Sequence, residues 1–96
     1  MRGYRILEQN WHRSRQHIDI IAKKEETIYM VSVIYASSTD QKNARVTALT
    51  ESELAQLKAA EETWVIEEKF IGPTKLASVE VSDPNFAVIS FSDSIA

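Results

Sequence analysis

The segment from residue 27 to residue 36 most limits what this chain can fold into, because it is apolar on both of its alternating faces. Successive strand residues point to opposite sides of a sheet, so a strand with two apolar faces needs cover on both sides. Such a segment is typical of a central strand. We therefore expect a sheet that is covered on each side.

Two shorter strands are predicted before this segment, over residues 4–11 and 17–22, with polar turns at residues 12–16 and 23–26. In the second strand, polar and apolar residues alternate. This pattern predicts that His17 and Asp19 lie on one face, and that Ile18 and Ile20 lie on the other. The pair is expected to form a hairpin that leads into the central strand.

The strongest helix signal in the chain begins at Thr50, which forms a T-x-x-E capping box with Glu53. Apolar residues then recur at spacings of three and four, which predicts one buried stripe. The stripe consists of Leu54, Leu57, Ala60 and Trp64. Residues 72–73, Gly-Pro, end the helix at the latest.

Turn-forming and β-branched residues predict the secondary structure of the remaining segments. Residues 37–46 are polar and predict a turn-rich connection before the helix. After the helix, residues 76–81 and 86–91 predict two strands that flank a turn at residues 83–85, as a second hairpin or as two neighbouring strands. The order of strands and helix predicts an α/β fold with a mixed β-sheet and one main helix.

Length and composition set wider bounds. A chain of 96 residues predicts a single domain, residues 1–96. It contains no cysteine, and no apolar run is long enough to span a membrane. We expect a soluble, cytoplasmic domain without a membrane partner.

Charge is unevenly distributed and bears on nucleic-acid binding. Residues 1–24 hold six basic and two acidic residues, whereas the remainder holds five basic and twelve acidic residues. Phosphate neutralisation needs a basic face, so weak nucleic-acid binding is expected only through residues 2–24, with Arg13 and Arg15 as the candidates. The alternative is that this basic flank is simply solvated.

Three blocks of the sequence follow a known pattern. They read G-Y-R-I-L-E-Q-N-W at residues 3–11, Q-H-I-D-I-I-A at residues 16–22 and V-S-V-I at residues 31–34. They resemble the YraN family of predicted endonucleases, related to archaeal Holliday-junction resolvases, whose blocks read roughly G-Y-x-I-L-x-x-N-W, G-E-I-D-L-I-A and V-E-V-K. The resemblance implies a restriction-endonuclease-like fold. It extends to the helix, where the family lysine falls at Glu53, and to residues 86–90, where Ala87 replaces an acid.

The resemblance also implies active-site positions, and most of them are substituted here. Of the family's acids and lysine, only Asp19 remains, because His17, Ser32 and Ile34 occupy the other positions. The family's reaction would need Mg²⁺, which carboxylates hold, and a lysine to stabilise developing charge. Ser32 and Ile34 supply neither group. An isoleucine at the lysine position predicts that the old site has become part of the packed core.

The family usually begins with a further helix, and the resemblance here starts at Gly3-Tyr4, where that helix should end, so we expect the helix to be missing. Without that helix, apolar sheet surface would be left for a second subunit to cover, so a homodimer is expected.

The leading hypothesis is a catalytically inactive endonuclease-like domain that acts as a structural or interaction protein, as a degenerate paralogue or an engineered scaffold. It needs no cofactor. One alternative is a Mg²⁺-dependent nuclease or resolvase with a relocated site, in which Asp19 binds metal with acids such as Glu8 or Glu80. Another is a nucleic-acid binder that does not cleave, in which Tyr29, Tyr35 and Trp11 stack bases. His17 and Asp19 could also ligate a metal together.

Overall fold

The computed structural model describes residues 4–35 and 45–81, and within them it has an α/β fold with one mixed sheet. The elements are β1 (Arg5–Arg13), β2 (Gln16–Lys24), β3 (Thr27–Tyr35), β4 (Arg45–Thr47), α1 (Glu51–Glu68) and β5 (Thr74–Val81). The sheet order is β1-β2-β3-β5-β4. This architecture is compatible with a restriction-endonuclease-like fold. Among the described residues, no helix is long and apolar enough to cross a membrane.

The first three strands form an antiparallel meander, as predicted, although both turns are shorter than the sequence suggested. Strands β1 and β2 pair up to Arg13↔Gln16, which leaves only Ser14 and Arg15 in the turn. Ser14 has a φ of 54°, a left-handed conformation that a tight hairpin turn uses. The predicted turn residues His12 and Gln16 therefore belong to the strands.

The strand predicted at residues 76–81 is present as β5 and completes the mixed sheet. It pairs in parallel with β3, from Ile28↔Thr74 to Tyr35↔Val81, an order that the sequence did not predict. The short strand β4 pairs antiparallel with β5 within a region that was predicted as turn. The predicted turn at residues 83–85 and strand at residues 86–91 lie outside the described residues.

Both faces of β3 are buried, which confirms it as a central strand. One face contributes to a helix-side cluster: Trp11, Ile18, Ile21, Ile28, Met30, Leu57, Ala60 and Trp64. The other face contributes to a second cluster: Tyr4, Ile20, Ala22, Val31 and Val79. The two clusters lie on opposite sides of one sheet, so the apolar strand is held on both faces.

Helix α1 begins where the capping box predicts. The Thr50 side chain accepts from the backbone N–H of Glu53 at 3.1 Å, and the Glu53 carboxylate accepts from the Thr50 N–H at 2.9 Å. The helix ends at Glu68, because Lys69 adopts the left-handed conformation of a C-terminal cap. Most of the predicted stripe is buried, but Leu54 is 44% exposed and does not join the core.

Candidate functional site

A cleft of about 270 Å³ lies between the β1–β2 hairpin, strand β3 and the first half of α1. Three of the substituted or retained family positions, His17, Asp19 and Ser32, line it together. The remaining lining residues come from the hairpin and the helix: Arg15, Gln16, Glu53, Gln56, Leu57 and Ala59. Ile34, the fourth of these positions, does not line the cleft.

The cleft opens where the pairing of β2 with β3 stops. The ladder runs from Lys24↔Thr27 to Ile20↔Val31. Beyond it, the backbone N–H of Val33 donates to Oδ2 of Asp19 at 2.8 Å. The Asp19 side chain therefore takes the place of a backbone acceptor for the Val33 N–H, just beyond the last paired residues of β2 and β3.

The regular alternation of β2 is interrupted at Asp19. Ile18 packs in the helix-side cluster, whereas Ile20 packs in the cluster on the other face. The prediction that these two isoleucines share a face is therefore wrong. Strict alternation would have placed them together, so the strand must depart from a regular pleat between them. Asn10, which lies opposite this point on β1, has a φ of 53°.

His17 and Asp19, which were predicted to share a strand face, contact each other, with Nε2 and Oδ1 separated by 3.4 Å. His17 also stacks on His12, its direct partner on β1, with ring centroids 4.4 Å apart and planes inclined by 22°. Nδ1 of His12 lies 2.9 Å from the carbonyl oxygen of Asn10. The sequence predicted a turn at residues 12–16, so the contact of His12 with His17 was not expected; the register of the hairpin brings the two residues together.

Ser32 and Ile34 are half-buried, and neither belongs to the two apolar clusters that the described residues form. Ser32 lines the cleft. For Ser32, the prediction that the old site has become core packing is therefore wrong, because the β2–β3 ladder ends before this residue and a cleft lies there. For Ile34, it stays a prediction.

The helical wall of the cleft was not predicted from the sequence, apart from Glu53. Gln56 and Ala59 are exposed residues of α1 that face the hairpin, and Ala59 accepts a 3.4 Å hydrogen bond from Nε2 of Gln16. Glu53 is engaged in the capping box. The capping box predicts where the helix starts, and the helical period then predicts which residues share one face. Together, these two signals could have identified the helix residues that line the cleft.

The residues of the cleft do not fit Mg²⁺ in the way the family resemblance would require. Within residues 4–35 and 45–81, no group of three or more histidines, cysteines and acids is placed to hold a metal ion. Asp19 already accepts from Val33. Glu8 and Glu80, the acids considered for a relocated site, do not line the cleft, and Glu8 accepts instead from the indole N–H of Trp64 at 3.1 Å.

The two candidate arginines differ in their surroundings. Arg13 pairs with Glu67 of the helix at 2.9 Å, and its guanidinium lies 4.9 Å from the centre of the Trp11 ring. Arg15 is exposed at the hairpin turn, lines the cleft and forms no ion pair within the described part of the chain. Arg15 is therefore the better placed of the two to meet an anionic partner.

The aromatic residues considered for base stacking do not share one surface. Trp11 is buried in the helix-side cluster, whereas Tyr35 is 60% exposed. Tyr29 packs edge-on against Tyr4 with ring centroids 5.3 Å apart. Burial, together with the neighbouring Tyr29, raises the pKa of Tyr4 to about 12. Tyr4 and Tyr29 thus form a core pair on the face away from α1.

Comparison with known proteins places the chain in a family context. The model of the uncharacterised protein family UPF0102 matches residues 1–91. A UPF0102 protein of Campylobacter hominis is 41% identical over 46 residues, which cover 48% of this chain and 41% of that protein. A UPF0102 protein of Flavobacterium psychrophilum is 49% identical over 39 residues, which cover 41% of this chain and 33% of that protein. These matches span less than half the length of either relative.

Proposed function

Because this chain belongs to the uncharacterised protein family UPF0102, the YraN family of predicted endonucleases, we propose that it is an endonuclease-like domain that does not cleave nucleic acid. It acts instead as a structural or interaction protein, as a homodimer. The family supplies the frame of the site, and the substitutions at His17, Ser32 and Ile34 remove groups that a metal-dependent nuclease uses.

The hydrogen bond from Val33 to Asp19 is the observation that carries this proposal. Asp19 is the only family acid retained in the blocks at residues 16–22 and 31–34, and one of its oxygens accepts a backbone N–H at 2.8 Å. If Asp19 also coordinated a metal ion, one of its oxygens would bind the ion while the other accepted the hydrogen bond from Val33. Because Ser32 supplies no second carboxylate, the retained acid serves the fold.

A second candidate function, binding of nucleic acid without cleavage, is favoured by Arg15. Its exposed guanidinium stands at the cleft without an ion pair among the described residues. Phosphate contacts of this kind give an affinity that falls as salt rises. Binding to a four-way DNA junction that weakens both with salt and in Arg15→Gln, but not in Lys75→Gln on the exposed part of β5, would support it.

The proposed lack of cleavage is tested with the full chain, Mg²⁺ or Mn²⁺, and labelled four-way-junction, duplex and single-stranded DNA. We expect no cleavage by the parent protein and none by Asp19→Asn. A matched variant, Ser32→Glu with Ile34→Lys, restores two family groups on the same strand. Cleavage by the parent that is lost in Asp19→Asn would contradict the proposal.

A further inference from the structure

The stacked histidines at the edge of the cleft form a site in their own right. His12 and His17 are directly opposite each other on β1 and β2, and they are the only two histidines in the chain. Both residues are exposed. Side chains at directly opposite positions of an antiparallel pair are within reach of one another, which the 4.4 Å separation of the rings confirms.

Each imidazole has one nitrogen facing an acceptor. Nδ1 of His12 lies 2.9 Å from the Asn10 carbonyl oxygen, and Nε2 of His17 lies 3.4 Å from Oδ1 of Asp19. In a neutral imidazole, the nitrogen that faces an acceptor carries the proton and the other nitrogen keeps a lone pair. The lone pairs therefore belong to Nε2 of His12 and Nδ1 of His17.

This arrangement is the one that metal-binding histidines commonly show, with the second nitrogen held by a backbone carbonyl or a carboxylate. We propose that His12 and His17 together bind one transition-metal ion of the zinc class, with Asp19 as the residue that positions His17. This site overlaps the family's active-site positions at His17 and Asp19, but its ligands differ: it uses two imidazoles of the hairpin and takes Asp19 as a hydrogen-bond partner rather than as a ligand.

The geometry requires one adjustment. Two nitrogens bound to the same zinc ion lie at most about 4 Å apart, because each Zn–N bond is about 2.0–2.1 Å. Each lone pair lies in the plane of its ring, and the two planes are inclined by only 22°, so the rings must turn for both nitrogens to face one ion. The outer torsion of histidine has a broad energy profile and both rings are exposed, which leaves this rotation open.

The donor set selects the class of ion. Imidazole suits zinc, nickel and copper, whereas magnesium prefers carboxylates and water. With two protein ligands, water completes the coordination, so the ion exchanges readily. Arg15 also lines the cleft beside His17 and repels a cation, which weakens the site further, but salt screens this exposed charge.

The test uses the full chain and the nuclear magnetic resonance signals of its two imidazoles, titrated separately with Zn²⁺, Ni²⁺ and Mg²⁺. We expect Zn²⁺ and Ni²⁺ to move or broaden both sets of signals with one ion per chain, and Mg²⁺ to move neither. Binding should weaken at least about tenfold in His12→Ala and in His17→Ala, and about tenfold in Asp19→Asn, whose amide would face His17 in place of an acceptor.

Arg15→Ala is the matched control at the same turn, and it should bind Zn²⁺ at least as tightly as the parent. Circular dichroism of each variant establishes that the fold is intact. The proposal is overturned if Zn²⁺ leaves both imidazoles unchanged, or if His12→Ala and His17→Ala bind it as tightly as the parent.

Discussion

The two ends of the β2–β3 pair are held together by different means. At the closed end, from Lys24↔Thr27 to Ile20↔Val31, the strands share a backbone ladder and bury apolar side chains on both faces. At the open end, which comprises Asp19, Ser32 and Val33, the described contact is one hydrogen bond from a backbone N–H to a side chain.

This difference separates what holds the fold from what shapes the site. Apolar burial and a regular ladder stabilise the closed end, whereas the open end exposes polar groups to the cleft. A carboxylate at the boundary satisfies the N–H that the parted strands leave behind. An acid such as Asp19 can thus contribute to the fold even where neighbouring family groups are substituted.

The largest effect is expected at the closed end. Ile21 is fully buried in the helix-side cluster, so Ile21→Ala should lower the free energy of unfolding by about 2–5 kcal/mol, through lost burial and the cavity left behind. Urea unfolding measures this loss. The same substitution at Ile66, which is 75% exposed, should change stability by less than about 0.5 kcal/mol. Equal losses at the two positions would remove the distinction between core and surface.

A smaller loss of stability is expected at Asp19, where the closed end of the β2–β3 pair meets the open end. Asp19→Ala leaves the partly buried N–H of Val33 without its acceptor and should cost about 1–3 kcal/mol of unfolding free energy. Asp19→Asn keeps a carbonyl oxygen that can accept from Val33, so its loss should be smaller. Chemical denaturation of both variants provides the comparison. If Asp19→Ala is as stable as the parent, the carboxylate does not hold the open end.

A still smaller loss of unfolding free energy is expected for a substitution at the start of α1, the helix that lines the cleft. Thr50→Ala removes the side-chain half of the capping box and should cost about 1 kcal/mol. Thr63→Ala is the matched control within the same helix, because within the described residues its hydroxyl donates only to the Ala59 carbonyl one turn back. Thermal unfolding should therefore show a lower midpoint for Thr50→Ala than for Thr63→Ala. The reverse order would mean that the cap does not set the stability of this wall.

The smallest effect is expected inside the cleft. The Ser32 hydroxyl has no hydrogen bond within the described part of the chain, so Ser32→Ala should stay within about 0.5 kcal/mol of the parent. Ser78 is fully buried and accepts from the Thr47 hydroxyl at 3.1 Å, so Ser78→Ala should cost about 0.5–1.5 kcal/mol. A larger loss for Ser32→Ala than for Ser78→Ala in urea unfolding would show that the open end carries more of the stability than its contacts indicate.

The sequence predicted the elements whose causes are local. Alternating and continuous apolar residues predicted β1, β2 and β3, and the pair Thr50 and Glu53 predicted the start of α1, because both patterns depend on near neighbours. The resemblance placed Asp19 and Ser32 together, and the fold does bring them to one cleft.

The features that were missed depend on contacts between distant segments. The parallel pairing of β5 with β3 and the short strand β4 arise from sheet assembly, which no local pattern records. The break in alternation between Ile18 and Ile20 lies where the β2–β3 ladder stops and opposite Asn10 of β1, which no pattern within β2 indicates. Hairpin register likewise set His12 against His17. The open end was therefore the hardest part to predict.

Amide hydrogen exchange at Val33, compared between the parent and Asp19→Ala, tests most directly whether Asp19 serves the fold. We expect the Val33 amide to be protected in the parent and to exchange much faster in Asp19→Ala, while the amides of Ile21 and Met30 keep their protection. We also expect Mg²⁺ to leave the exchange of Val33 in the parent unchanged. Equal exchange of Val33 in both proteins, or release of Val33 by Mg²⁺, would contradict this role of Asp19.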